Sequence, residues 1–264
     1  MNNSAYWQKR QAAVREKLVD ITIAQSERAL KKAYRTIGKK YVERLTELAK
    51  QIEEGRSKSK NPLYEYRKFY KLLNEWQEDA KALGVKQNDL MTEELTTLYK
   101  RVDTSLAPAF PGPGATEAQI KQVLDTAWVA SDGKLYSQRI WDSLGKLGTH
   151  LRDGMLEVFS GALTTEQLKR ELATAFNTSY SNASRLVRTE YVHFANQAAA
   201  NRMSEAGVTH YKWLTGAQER ACEACMELDG KVFAVGDITH LPPAHPNCRC
   251  SIVAVFDSTD DGNK

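Results

Sequence analysis

Apolar residues recur at steps of three and four through the first fifty positions: Leu30, Tyr34, Ile37, Tyr41, Leu45, Leu48 and Ile52, with Val14, Leu18 and Ile21 upstream. Lys, Arg and Glu fill the positions between them, so one stripe of a helix is apolar and the rest is solvated. This pattern predicts one long helix, or two sharing a stripe, over about residues 5–53. The polar run Gly55-Arg56-Ser57-Lys58-Ser59-Lys60-Asn61-Pro62 reads as a loop. Helical spacing resumes with Tyr64, Tyr66, Phe69, Tyr70, Leu72, Leu73 and Trp76, breaks near Gly84, and returns from Met91 to Val102. Ala107-Pro108-Ala109-Phe110-Pro111-Gly112-Pro113-Gly114 cannot continue a helix, because each proline lacks an amide donor and clashes with the preceding turn.

Beyond that boundary, Thr116 with Gln119 and Thr164 with Gln167 are capping-box pairs, each marking a helix start. Helices are expected at 117–129, 137–159, 165–175 and 179–206, with Gly207 closing the last. The period then changes. Residues 209–215, 231–235 and 250–256 alternate or run apolar as short strands do. The expected fold class is mainly α with a small C-terminal α+β module of short antiparallel strands, closed by a Cys/His cluster. The expected division is a basic helical region at 1–106, a Pro/Gly linker at 107–115, a helical part at 116–207, a Cys/His β module at 208–256 and a flexible tail at 257–264.

With 264 residues, 42% hydrophobic and 27% charged, the chain is long enough to bury a core and has the balance of a globular protein. The net charge of +4 is unevenly spread, since residues 1–60 hold 15 Lys and Arg against 7 Asp and Glu. A basic segment of this kind suits nucleic acid or an acidic protein surface, although solvated helix faces have the same composition. No apolar run approaches the ~18 residues of a membrane helix, so no membrane partner is expected. The N-terminus lacks the apolar stretch of a signal peptide, and the chain is expected to remain in the cytoplasm where it is made.

All four cysteines fall between Cys222 and Cys250. In a reducing compartment such a cluster reads as metal ligands before it reads as disulfides. Cys222-Glu223-Ala224-Cys225 can bring two thiolates to one point, and His245-Pro246-Asn247-Cys248-Arg249-Cys250 supplies further donors about twenty residues later. Cys222, Cys225, His245, Cys248 and Cys250 are five donors for the four positions of a structural zinc. Three sets remain open: all four cysteines, or Cys222, Cys225 and His245 completed by either Cys248 or Cys250. Glu223, Glu227 and Asp229 lie close enough in sequence to suggest a catalytic base, but a thiolate-rich set resembles closed structural sites. No catalytic residue is assigned. Arg188, Thr189 and Glu190 read as a polar network fixing their helix against the C-terminal module, and Ala195, Ala198, Ala199 and Ala200 as a close-packing face.

The order of Arg188-Thr189-Glu190, Trp213-Leu214-Thr215, Cys222-x-x-Cys225, Leu228-Asp229-Gly230 and Pro242-Pro243-Ala244-His245-Pro246-Asn247-Cys248-Arg249-Cys250 resembles the head-morphogenesis domain of tailed-phage minor head proteins, the Mu F-like family. The likeness covers about residues 128–256, with Asp132-Gly133 and Arg139-Ile140-Trp141 fitting upstream. It implies a non-enzymatic minor capsid protein made in the host bacterial cytoplasm and built into the virion. The partners it implies are the portal protein and the major capsid or scaffolding protein, with double-stranded DNA as a further contact. A zinc-stabilised nucleic-acid-binding protein and a phage-head-associated hydrolase are the competing readings. The chain's end at Lys264, just after the module, weighs against an added enzyme domain.

Overall fold

The computed structural model describes residues 3–57, 63–128, 132–216 and 221–256. The fold class is as expected: the described residues form six α-helices and three short strands, with the strands confined to the C-terminal part. Of the loop expected over 55–62, residues 55–57 are helical and residues 58–62 lie outside the described residues, as does the tail at 257–264.

Helix α1 (Asn3–Ser57) is one uninterrupted helix rather than two. It passes through Gly55 because its last turn is held in place: Arg56 Nη2 donates to the carbonyl of Val158 at 2.8 Å, and Glu53 Oε1 accepts the amide of Thr165 at 2.7 Å. Helix α2 (Leu63–Leu106) likewise runs through Gly84, where a break was expected. A Cβ at Gly84 would lie 2.3 Å from the Trp141 ring, so the glycine serves close packing and does not end the helix. Helix α3 (Glu117–Leu124) starts with the expected capping box, Thr116 with Gln119, but stops earlier than expected at Asp125. Helix α4 (Tyr136–Ser160) agrees with the pattern. Helix α5 (Thr165–Glu205) joins two expected helices into one, and Phe176, in the expected gap, is buried 5.9 Å from Trp76. It ends in a Schellman motif: the amides of Val208 and Gly207 reach back to the carbonyls of Met203 and Ser204, with Gly207 at φ +78°.

The described residues form two compact units. The first comprises residues 1–26, 91–136 and 185–264, and the second residues 27–90 and 137–184. The long helices therefore contribute to both, and the Pro/Gly run lies within the first. There Phe110 is buried, its carbonyl accepts Arg202 Nε at 2.7 Å, and Asp103 accepts the amide of Ala115 at 3.2 Å. The first unit also holds the sheet, ordered β2-β1-β3, of β1 (His210–Leu214), β2 (Val232–Ala234) and β3 (Ser251–Val255). Both pairings are antiparallel, with Tyr211 opposite Phe233 and Ala254. A short helix α6 (Glu223–Leu228) sits between β1 and β2 in sequence.

The second unit buries Tyr41, Leu45, Leu48 and Ile52 of α1 with Phe69, Leu72 and Trp76 of α2, Leu147, Leu151 and Met155 of α4, and Leu168 and Leu172 of α5. The buried Trp76 ring has Tyr41 5.1 Å away and Phe176 5.9 Å away. A Cβ at Gly148 would lie 2.8 Å from the Trp76 indole nitrogen, whereas one at Gly145 would meet nothing within 4 Å. Replacing a helical glycine by alanine gains about 1 kcal/mol of propensity, and overpacking a core costs about 1–3 kcal/mol. Gly145→Ala should therefore raise the urea midpoint, and Gly148→Ala should lower it by the equivalent of about 1 kcal/mol or more. Equal shifts of the two midpoints would show that Trp76 can yield.

Candidate metal centre

Local backbone chemistry brings the five donors together. Cys222 stands at the N-cap of α6, and its carbonyl accepts the amide of Met226 at 3.0 Å. This first turn folds Cys225 back toward Cys222. The hydroxyl of Thr215, just after β1, donates to the carbonyl of Cys225 at 2.8 Å, and the amide of Thr215 donates to Asp229 Oδ1 at 2.8 Å. Asp229 is thus occupied as a turn acceptor and is no free base, while Glu223 and Glu227 are exposed. Gly230 turns the chain with φ +75°, and its amide returns to the carbonyl of Trp213 at 3.0 Å. The Leu228-Asp229-Gly230 motif therefore ties α6 to the central strand.

The second donor group forms on a tight turn. The amide of Cys248 donates to the carbonyl of His245 at 3.1 Å, with Pro246 and Asn247 between them and Asn247 at φ +63°. Pro followed by a left-handed Asn is what a type II turn requires at its central positions. The turn is moored to α5, because the amide of Asn247 donates to Thr189 Oγ1 at 3.0 Å. Two residues on, the carbonyl of Cys250 accepts Asn196 Nδ2 at 3.0 Å. The chain between them is backed by Gly216, where a Cβ would fall 2.1 Å from the Arg249 carbonyl oxygen.

His245 Nε2 lies 3.2 Å from both Cys222 Sγ and Cys225 Sγ, and Cys225 Sγ lies 3.9 Å from Cys248 Sγ. Two overlapping donor groups result, Cys222, Cys225, His245 and Cys225, Cys248, Cys250, with the donor atoms of each within 4.8 Å of one another. A tetrahedral zinc with bonds of about 2.0–2.3 Å has donor–donor edges of about 3.5–3.8 Å, close to these separations. His245 Nδ1 is 2.8 Å from the Pro246 carbonyl, so the ring proton belongs there and the Nε2 lone pair faces the sulfurs. Soft sulfur with imidazole is a zinc donor set, and these residues fit that ion. Cys225, Cys248 and Cys250 are buried, while Cys222 is exposed. Burial and the neighbouring Cys248 push the Cys225 thiol up. A hydrogen bond from Cys250 holds the Cys248 thiol below its ordinary value, and the same bond pushes Cys250 up.

The remaining sequence candidates separate. Thr189 and Glu190 are buried, but Arg188 is exposed. Glu190 Oε2 lies 3.7 Å from His193 Nδ1, a pair buried along α5. His240 is not among the grouped donors: it stacks on Phe233 with centroids 4.4 Å apart and meets Asp237 at 2.8 Å, and His210 is exposed beside Thr209.

Residues 149–253 match the family model described as phage Mu protein F like protein. This stretch of the chain is similar to the phage Mu F-like family. The match begins in α4, ends in β3 and includes all five donors, while Asp132-Gly133 and Arg139-Ile140-Trp141 fall outside it. No curated protein and no solved structure matches the chain.

Three supports of the Mu F-like module carry no motif signal: Arg15, Asp20 and Asn196. Arg15 of α1 is buried and donates Nη2 to the carbonyl of Ile252 in β3, and Arg249 pairs with Asp20. Arg15 was legible only as a charged residue inside an apolar stripe. The module is thus framed by the N-terminal part of α1 as well as by α5.

Asn247 offers a direct test of the turn. A β-branched residue at positive φ is strained by roughly 1–3 kcal/mol, and glycine is not. Asn247→Val should lower the thermal midpoint and Asn247→Gly should stay near wild type, read by circular dichroism. Equal midpoints would remove the turn from the site's construction.

Proposed function

We propose that this chain is a non-enzymatic minor head protein that acts in head assembly, docking on the portal protein and on the major capsid or scaffolding protein. On this reading it is made in the host bacterial cytoplasm and carried into the virion. The observation that carries the reading is that the Mu F-like match and the thiolate-rich cluster coincide on one framed module. In that module three of the four sulfurs are buried and Cys222 is exposed. No helix of the described residues is long and apolar enough to cross a membrane.

Within that function, Cys222, Cys225, His245 and Cys248 hold a structural zinc. Cys248 is chosen over Cys250 because its sulfur stands 3.9 Å from that of Cys225, which also faces His245. The zinc's contribution is to neutralise crowded thiolates and to link α6 to the turn before β3, where three strands alone bury too little.

Elemental analysis of protein purified under reducing conditions without chelator should find about one zinc per chain. Cys222→Ser and Cys248→Ser should lose it, and Cys250→Ser should keep it. Metal-free wild-type protein would sink the zinc assignment, and loss with Cys222→Ser and Cys250→Ser but not with Cys248→Ser would exchange the two sulfurs. For the assembly role, heads produced from a gene set that includes this chain should retain it through gradient purification. Its absence from every head and head precursor would refute that role.

A further inference from the structure

The outer face of α1 in the second unit carries a row of cations. Arg28, Lys31, Lys32 and Arg35 are all exposed, and Lys39 continues the row. Positions 28, 32, 35 and 39 follow helical steps of four, three and four, so they share one face, opposite the buried Leu30, Tyr34 and Tyr41. At 1.5 Å per residue the row is about 16 Å long.

Two features distinguish this row from an ordinary solvated helix. Arg28, Lys31, Lys32 and Arg35 have no ion-pair partner among the described residues. Cations on the flank of the same helix do: Lys40 binds Asp79 at 2.5 Å, Arg44 pairs with Glu75, and Lys39 at the row's end is 3.9 Å from Glu43. No acid occurs between Arg28 and Tyr41, and the exposed positions between the cations are small, Ala29 and Thr36.

We propose that this face binds the phosphate backbone of duplex DNA without reading its sequence. The alternatives fail on chemistry. A protein interface draws its affinity from buried aromatic and apolar anchors, and this face has none. A single strand is held by stacking on exposed aromatics, and the aromatic here, Tyr34, is 2% exposed. A row of unpaired cations against small residues instead suits regularly spaced phosphates, where binding is driven by release of condensed counterions. The proposal stands on α1 alone and is independent of the zinc and of the assembly role.

The test is fluorescence anisotropy of a labelled 25-base-pair duplex with the full chain across a potassium chloride series. Each phosphate neutralised contributes about −0.9 to the slope of log affinity against log salt. Arg28→Gln, Lys32→Gln and Arg35→Gln together should make that slope shallower by about 2 to 3 and weaken binding at least about tenfold at low salt. Gln keeps the helix propensity of the residues it replaces, and circular dichroism should show the fold intact. The charge-matched set Arg101→Gln, Lys121→Gln and Lys231→Gln, on exposed positions of the first unit, should leave the slope unchanged. Equal loss in the two sets would reduce the effect to net charge and overturn the proposal. So would the absence of duplex binding by wild type, or equal affinity for single-stranded DNA or polyglutamate.

Discussion

Cys225 is the corner on which the C-terminal module turns. Its sulfur belongs to both donor groups, facing His245 at 3.2 Å and Cys248 at 3.9 Å. Its carbonyl is held by the hydroxyl of Thr215, which places α6 against the end of the central strand. Trp213, Cys225, Cys248 and Cys250 form a small buried cluster of their own, backed by Leu228, Phe233 and Ala244. One indole and three sulfurs make a meagre core. Such a cluster is stable only if the thiols are either kept mostly protonated or neutralised together by a cation. Within it the thiols of Cys225 and Cys250 are pushed up and that of Cys248 is held down, so the three sulfurs are not equivalent.

The frame around this corner is polar and buried, which is costly unless each group is used. Asn196 and Arg15 reach backbone carbonyls at both ends of the stretch from Cys250 to Ile252, and Thr189 takes the amide of the turn at Asn247. Burial lowers the Arg15 pKa only to about 10, so the guanidinium stays charged at neutral pH, bonded to a carbonyl rather than to a carboxylate. Irregular backbone cannot satisfy itself as a helix does, and side chains from rigid helices supply the missing partners. Strand β3 is buried on both faces over Ile252, Val253 and Ala254, so its entry must be placed accurately, and these three bonds place it.

Helical periodicity exposed most of the fold, because an apolar stripe along α1 or α4 is a signal that needs no partner to read. The failures share a cause. Gly84 read as a break, and the gap before 179 read as a helix end, but packing against Trp141 and burial of Phe176 decided both. Composition cannot distinguish a glycine that ends a helix from one that admits an indole. The donor cluster was legible because thiols and imidazole at short spacing have few other uses. The choice between Cys248 and Cys250 was not, since both leave one turn in the same direction. Arg15 and Asn196 were missed because a long-range bond to a backbone carbonyl leaves no trace in either residue's neighbourhood.

The two units use charge in opposite ways, and this bears on how one chain can serve several contacts. In the first, Arg15, Glu190, His193 and Arg202 are turned inward, where each removal would leave a buried partner unsatisfied. In the second, ionic groups lie on the surface, and those on the flank of α1 are neutralised by acids on α2. Surface pairs of this kind contribute little to stability. Their effect is to cancel charge locally, and cancellation on the flank leaves the outer face as the place where positive potential survives. A helix can therefore be basic overall and still present one directed row, provided the acids are placed where they quench the wrong directions. That arrangement is set by helical angle rather than by net charge, which is why a total of +4 concealed it.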